Sequence, residues 1–368
     1  MASSTTTSLP TLDEEEASPP SSSEQQQQPS LNEPASASAF RAPSSLPLPH
    51  TPFVSEATRV KYSPLPWEDY FDEAKDILIP GSEKVFRIYT AGNDGPVVFC
   101  LHGGGYSGLS FALVAKQMKG KVRVVSMDMR GHGLSHTADD TDLSAETLCA
   151  DVLEVISTMF GKDLPSIVLV GHSMGGAIAV HLAAKRVLST LAGLVVVDVV
   201  EGTAIASLIH MQQFLSNRQS HFPTIEKAIE WSVKAGSLRN IQSARVSIPS
   251  TLTFHEQRKC YVWRTHLQDS EAYWKGWYEG LSELFLSCPV PKLLLLAGTD
   301  RLDRSLTIGQ MQGKFQMLVV RSSGHAIQED EPEEFASAVL GFVSRNRIGS
   351  YGIEIPGLRR PIHLRPAN

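Results

Sequence analysis

The sequence has few features that would place the chain in a membrane or on a nucleic acid. No apolar run approaches the ~20 residues that are needed to cross a bilayer. The N-terminus lacks a basic segment followed by an apolar one, so we predict no secretory signal. Lysine and arginine number 33 against 39 acidic residues, which gives a formal net charge of −6. This balance argues against non-specific binding to nucleic acid or to an anionic membrane.

Cysteine is also scarce. The four cysteines, at positions 100, 149, 260 and 288, lie in or beside apolar segments and form no CxxC pair. This pattern argues against a disulfide framework and against a zinc site. It fits reduced, buried thiols, so we expect a cytoplasmic or nuclear protein that binds no metal.

Both ends of the chain lack the apolar content of a folded domain. The first 50 residues contain six carboxylates and one cation, Arg41, and otherwise consist mostly of Ser, Pro, Gln, Thr and Ala. Such a mixture cannot bury enough apolar surface to offset the entropy that is lost on ordering. We predict a disordered low-complexity tail over residues 1–55 and a second tail over residues 348–368.

Between these tails, apolar runs alternate with helical patterns. Two short runs, at residues 76–79 and 84–89, are separated by Pro80-Gly81-Ser82 and predict an antiparallel hairpin. More uniformly apolar runs predict core strands at residues 97–101, 122–127, 167–170, 191–197, 292–297 and 316–320. Helices are predicted at residues 145–160, behind a Ser144 N-cap, and at residues 174–186 and 333–344. The alternation predicts an α/β fold, a mainly parallel sheet with helices on both faces.

The alternation stops between about residues 202 and 288. This stretch predicts amphipathic helices at residues 208–215 and 225–236, followed by an aromatic-rich segment that contains Trp263, Tyr273, Trp274, Trp277 and Tyr278. Because the stretch lies between two predicted core strands, we expect it to form a cap over the carboxyl ends of the sheet. The core would then comprise residues 56–201 and 289–347.

The strongest local signal is the motif G-H-S-M-G over residues 171–175. It directly follows a predicted strand and precedes a predicted helix, which is the context of a nucleophile elbow. In such a turn the flanking glycines let neighbouring backbone pass, and Ser173 would stand exposed at the N-terminal end of the helix. The alternative is a serine that only caps the helix.

A second glycine-rich turn, L-H-G-G-G over residues 101–105, follows the first predicted core strand. Acyl transfer creates an oxyanion that backbone N–H groups stabilise, each by ~3 kcal/mol of barrier. The expected donors are the N–H of Met174 and that of Gly104 or Gly105. Alone, this motif is equally compatible with an ordinary tight turn, and no phosphate-binding glycine pattern occurs.

A general base and an acid must complete such a site. His325 follows the last predicted strand, the position of the base in the chain order serine, acid, histidine. Two aspartates are candidates for the acid, since Asp198 and Asp300 each end an apolar run. The general α/β pattern favours the later position, Asp300, but does not separate the two. The aspartate without a catalytic role would cap a helix near Asp303 or hold a loop.

Several longer stretches carry a more specific resemblance. The segments GHSMGGAIAV (171–180), DVVEGTA (198–204), AIEWSVK (228–234) and LTIGQMQGKFQM (306–317) resemble the protein phosphatase methylesterases, which have the α/β-hydrolase fold. The likeness covers about residues 63–347. It implies that the catalytic triad is Ser173, Asp198 and His325. Animal members of the family carry an acidic insertion in the cap, and this chain lacks it. The corresponding place in this sequence lies between about Pro249 and Tyr261.

The resemblance also implies a reaction. Ser173 would attack the C-terminal leucine methyl ester of the type 2A serine/threonine protein phosphatase catalytic subunit, with loss of methanol and hydrolysis of the acyl-enzyme by a water that His325 activates. No metal or organic cofactor is implied. A protein substrate suggests an extended peptide groove and a partner-binding surface, for which the segment 309–313 with Met311 is a candidate. Its alternative is a helix end whose methionine packs inward.

Two other functions compete with this one. A small-molecule carboxylesterase or lipase would use the same triad and would need no protein partner. A non-catalytic ligand receptor would keep the fold, and replacement of Ser173 would then leave its function intact.

Overall fold

A computed structural model describes residues 56–298 and 302–349 of the chain. The predicted N-terminal tail and nearly all of the predicted C-terminal tail lie outside these ranges. Within them the chain forms eleven strands: β1 (Glu73–Leu78), β2 (Val85–Ala91), β3 (Val97–Leu101), β4 (Arg123–Met127), β5 (Ile167–His172), β6 (Leu191–Val197), β7 (His221–Phe222), β8 (Leu252–His255), β9 (Cys260–Trp263), β10 (Lys292–Leu296) and β11 (Gln316–Val319).

The same described ranges form twelve α-helices: α1 (Glu56–Tyr62), α2 (Ala112–Met118), α3 (Ala145–Phe160), α4 (Met174–Lys185), α5 (Glu201–Asn217), α6 (Ile225–Lys234), α7 (Ile241–Ser247), α8 (Glu271–Tyr278), α9 (Leu281–Ser287), α10 (Arg304–Met311), α11 (Ile327–Asp330) and α12 (Pro332–Arg345).

Eight strands form one sheet in the order β1-β2-β4-β3-β5-β6-β10-β11. The hairpin β1–β2 and the pair β2–β4 are antiparallel, and the remaining neighbours are parallel. Successive side chains of β3 point to opposite faces: Phe99 packs with the cluster that includes α3 and α4, whereas Val98 packs with the cluster that includes α2 and α12. The prediction of a mainly parallel sheet covered on both faces is confirmed.

The uniformly apolar strands were the easiest to predict. The bounds of β3 and β6 agree with the predicted ones at both ends, and the other core strands agree within two residues. Helix α3 also has its predicted bounds, and the Ser144 side chain accepts a hydrogen bond from the Thr147 N–H at 3.3 Å. The predicted N-cap is therefore confirmed.

The elements α5 to α9, residues 201–287, lie between β6 and β10 in the chain and are called the insertion below. The insertion contains the expected helices, but also a three-stranded antiparallel sheet in the order β7-β9-β8 that the sequence analysis did not predict. Its strands are only two to four residues long and mostly half-exposed, so they lack the apolar runs that reveal the core strands.

Candidate active site

Ser173 sits at a sharp turn between β5 and α4. Its backbone has φ 51° and ψ −117°, in the left-handed region that a serine occupies only under strain. Steric overlap excludes any larger residue at the two neighbouring glycines. A Cβ on Gly171 would lie 2.2 Å from the Gly175 carbonyl oxygen, and a Cβ on Gly175 would lie 2.3 Å from the Leu101 carbonyl oxygen. The local geometry is that expected of a nucleophile elbow.

The structure pairs His325 with Asp198. The Nδ1 atom of His325 lies 2.7 Å from Oδ2 of Asp198, and the other oxygen of this carboxylate accepts the Ala297 N–H at 2.9 Å. Asp198 follows β6, its side chain is buried, and its φ of 50° is again in the left-handed region. Parallel strands bring their carboxyl ends to one edge of the sheet, which is why residues so distant in sequence meet here.

Of the two aspartates that the sequence left open, Asp198 contacts His325. Asp300 lies outside the described residues. Its neighbour Asp303 has the structural role expected of an aspartate at this place, because it caps α10 by accepting the Leu306 N–H at 2.9 Å.

Ser173 and His325 line the same cavity. Among the described residues Ser173 makes no hydrogen bond to His325, and its hydroxyl interacts with the phenol of Tyr278 instead. Burial raises the pKa of Tyr278 to about 12, an increase that the Ser173 contact partly offsets. Tyr278 is a site residue that the sequence analysis named only as part of an aromatic-rich segment.

The glycine turn after β3 supplies one free N–H beside Ser173. Gly105 donates its N–H to Nε2 of His132 at 2.9 Å, so this group is already engaged. Within the described ranges the N–H of Gly104 has no such partner, and the N–H of Met174, the first residue of α4, has no intrahelical acceptor. Of the two glycines predicted as oxyanion donors, Gly104 is the one whose N–H remains available.

Three buried histidines hold this edge of the sheet together. His102 accepts the Met129 N–H at 2.9 Å, and His132 accepts the N–H of the glycine turn. The Nε2 atom of His172 lies 3.0 Å from the His325 carbonyl oxygen and ties the turn before the nucleophile to the loop of the base. Burial lowers the pKa of His132 to about 4 and that of His172 to about 3, so both rings are neutral at pH 7.

The cavity above Ser173 has a volume of about 280 Å³ and is lined largely by residues of the insertion, which include Trp231, Trp263, Trp274, Trp277 and Tyr278. Three of its indole N–H groups are satisfied outside the cavity, each at 2.7 Å: Trp263 donates to the Gln219 carbonyl, Trp274 to the Ser270 hydroxyl and Trp277 to the Leu143 carbonyl. The rings therefore present apolar surfaces to a ligand.

Two further observations concern groups outside this cavity. Met311, at the end of α10, is 80% exposed and lies one helical turn from the exposed Ile308, so the inward-packing alternative does not hold. Residues 56–298 and 302–349 contain no cluster of His, Cys, Asp and Glu that could hold a metal ion, and none of their helices has the length and apolarity of a membrane span.

Solved structures share this fold at low sequence identity. The crystal structure of E-2-(acetamidomethylene)succinate hydrolase matches with a TM-score of 0.62 and 19% identity, over 74% of this chain and 98% of that one. The thioesterase domain from the curacin biosynthetic pathway matches with a TM-score of 0.56 and 21% identity, over 73% of this chain and 99% of that one.

Sequence relatives are much closer. The family model described as "Alpha/beta hydrolase family" matches residues 97–338. "Probable protein phosphatase methylesterase 1" of Caenorhabditis elegans is 50% identical over 305 residues, covering 82% of either chain. "Protein phosphatase methylesterase 1" of Homo sapiens is 42% identical over 374 residues, covering 86% of this chain and 97% of its own. With the fold and the site in agreement, the chain belongs to the protein phosphatase methylesterase family of α/β hydrolases.

Proposed function

We propose that the chain is a serine esterase that removes the methyl ester from the C-terminal leucine of the catalytic subunit of a type 2A serine/threonine phosphatase. The names of its relatives support a phosphatase methylesterase. The observation that carries the proposed chemistry is the 2.7 Å contact between Asp198 and His325, a histidine that lines the same cavity as a strained Ser173.

In the proposed reaction the Ser173 hydroxyl first forms a hydrogen bond to His325. The imidazole then takes the hydroxyl proton as Oγ attacks the ester carbonyl, and Asp198 stabilises the imidazolium that forms. Collapse of the tetrahedral intermediate transfers the proton to the departing methoxide and leaves an acyl-enzyme. His325 next activates a water that releases the free carboxylate. Met174 and Gly104 donate their N–H groups to the oxyanion.

We further propose that the insertion acts as a cap on a core formed by residues 56–201 and 289–347. Its tryptophans line an apolar cavity of a size suited to one aliphatic side chain with its ester. This arrangement selects a hydrophobic C-terminal residue. It also keeps bulk water away from the acyl-enzyme, except for the molecule that hydrolyses it.

We propose the exposed face of α10 as a contact for the phosphatase subunit outside the peptide groove. Ile308 and Met311 are 45% and 80% exposed, respectively, and form an apolar pair on a helix surface. Met311→Ser should lower kcat/KM for the intact subunit more than for a short methyl-ester peptide. Equal losses on both substrates would contradict a docking role for this surface.

The proposed compartment is the cytoplasm or the nucleus. All four cysteines are free and buried, as expected of a protein in a reducing environment.

The decisive experiment measures methanol release from the methylated catalytic subunit by the purified chain, with the Ser173→Ala variant as the control. We expect turnover only with the unaltered serine. Rapid hydrolysis of short acyl esters without demethylation of the subunit would favour the small-molecule esterase. Equal demethylation by the Ser173→Ala variant would contradict the assignment of the nucleophile.

A further inference from the structure

Beside the active-site cavity, Arg218 is a cation without an anionic partner among the described residues. It directly follows α5, and its guanidinium carbon lies 3.4 Å from the centroid of the Trp263 ring. Among the described residues its side chain has no ion pair and no hydrogen bond. The nearby hydroxyl of Tyr106 remains neutral, because burial raises the pKa of that phenol. The guanidinium is positively charged at pH 7, because its pKa of about 10 lies well above neutrality. Its N–H donors remain unused among the described residues.

Arg218 also marks the boundary between two cavities. One is the active-site cavity, and the other is a neighbouring cavity of about 390 Å³ that shares Arg218, Trp263 and Leu267 with it. The second cavity is also lined by His255, Arg258 and His266, and none of the described residues that line it is acidic. A path from the active site past Arg218 therefore leads into a positively charged surface.

The guanidinium is close to the reaction centre. Its Nη1 atom lies 3.8 Å from the position that a Cβ on Gly105 would occupy, and Gly105 follows the residue that we propose as an oxyanion donor. A methyl ester carries no charge, so the reacting group itself does not need this cation. A group a few residues further along an extended peptide reaches it, since a peptide advances ~3.4 Å per residue.

The alternative is a purely structural role, in which Arg218 only stacks on Trp263. The partial negative charge at the end of α5 would then also stabilise the cation. Stacking leaves the guanidinium N–H groups of this half-buried cation without an acceptor among the described residues, so they are available to an anion. Burial lowers the pKa of Arg218 to about 10. A planar, stacked guanidinium with free donors matches the geometry that binds a carboxylate at two points.

We propose that Arg218 binds a carboxylate side chain located within the four residues that precede the esterified C-terminus of the substrate. Arg258 and the second cavity extend this recognition to an acidic segment upstream. This inference rests on the proposed esterase function, and it adds a charge preference to the apolar preference of the cavity.

The test uses peptides that end in leucine methyl ester. Aspartate is placed at one of the four preceding positions at a time, and each such peptide is compared with one that has asparagine at the same position. We expect the unaltered protein to prefer aspartate over asparagine by roughly 10-fold or more in kcat/KM at one position, as a charge-assisted hydrogen bond provides. In Arg218→Met, which keeps an unbranched chain on Trp263, this ratio should fall to about 1. Arg218→Lys should retain part of it.

A matched control is Arg123→Met. Arg123 also packs against an aromatic ring, with its guanidinium carbon 5.4 Å from the Phe160 centroid, but it lines neither cavity. This variant should keep the full preference for aspartate. The Lys variant also guards against misfolding, because it preserves the charge on the same stem.

The outcomes separate this inference from the proposed function. If the asparagine peptides are hydrolysed by the unaltered protein but not by Ser173→Ala, the esterase function holds. An aspartate preference that is absent from the unaltered protein, or unchanged in Arg218→Met, would then overturn the role of Arg218. The role of Arg218 would also be overturned if Arg218→Met changed only the inhibition by the carboxylate product and left the aspartate preference in kcat/KM as it is. If no peptide is hydrolysed, the proposed function itself fails.

Discussion

Replacement of Asp198 by asparagine tests the arrangement of the site with the least change in shape. One oxygen of this carboxylate faces His325 Nδ1 at 2.7 Å and the other accepts the Ala297 N–H at 2.9 Å. An asparagine has only one acceptor oxygen for these two donors. If its NH₂ group faces the ring, the imidazole must move its proton to Nε2 and can no longer take one from Ser173.

The opposite orientation is also unfavourable. The NH₂ group would then face the Ala297 N–H inside the protein, and leaving such a buried donor unsatisfied costs about 1–3 kcal/mol. A neutral amide would also fail to stabilise the imidazolium. Comparable aspartate-to-asparagine changes in serine hydrolases lower kcat about 10⁴-fold, which is about 5 kcal/mol of activation free energy. We expect a loss of this size for Asp198→Asn.

The assay is kcat on a leucine methyl-ester peptide, with a thermal unfolding curve to show that the variant is folded. Asp300→Asn is the matched comparison, because that residue was the other candidate for the acid. A folded Asp198→Asn variant that loses less than 10-fold in kcat, or an Asp300→Asn variant that loses more, would refute the pairing as the basis of catalysis.

Three further predictions concern stability and the resting serine. Gly175→Ala should prevent folding, because the added Cβ would overlap a backbone oxygen. Gly276→Ala, at an exposed helical position, should instead raise the free energy of unfolding by ~0.5–1 kcal/mol. Thermal melting compares the two variants. Tyr278→Phe should raise the rate of fluorophosphonate labelling up to about fivefold by freeing the nucleophile, and slower labelling would contradict this. His132 and His172 bind protons near pH 6.5 only when unfolded. Below pH 6.5 the free energy of unfolding should therefore fall by up to ~1.4 kcal/mol per pH unit for each, down to about pH 4 for His132 and about pH 3 for His172. A flat profile of urea denaturation against pH would contradict this.

Much of the core followed from local signals. The runs at β3 and β6 are buried on both faces and are therefore apolar at every position, which fixes their bounds in the sequence. The serine turn was visible because both flanking glycines are needed where backbone approaches backbone. These features depend on neighbours in sequence or on simple burial.

The parts that were missed depend on contacts between distant residues. Asp198 and Asp300 each end an apolar run in the sequence, and only the approach of the His325 loop to Asp198 reveals this pairing. Tyr278 and Arg218 belong to the insertion, where composition reveals aromatic and basic residues but not which of them face the cavity. The orientation of these side chains is set by tertiary packing that no sequence period records.

The burial of the cysteines has a consequence for chemical labelling of the protein. Burial raises the pKa of Cys149 to about 12 and that of Cys288 to about 11, and raises that of Cys100 as well. These thiols are almost entirely protonated at neutral pH, and the thiolate is the reactive form. An electrophilic inhibitor added to the folded chain therefore meets little competition from these three thiols.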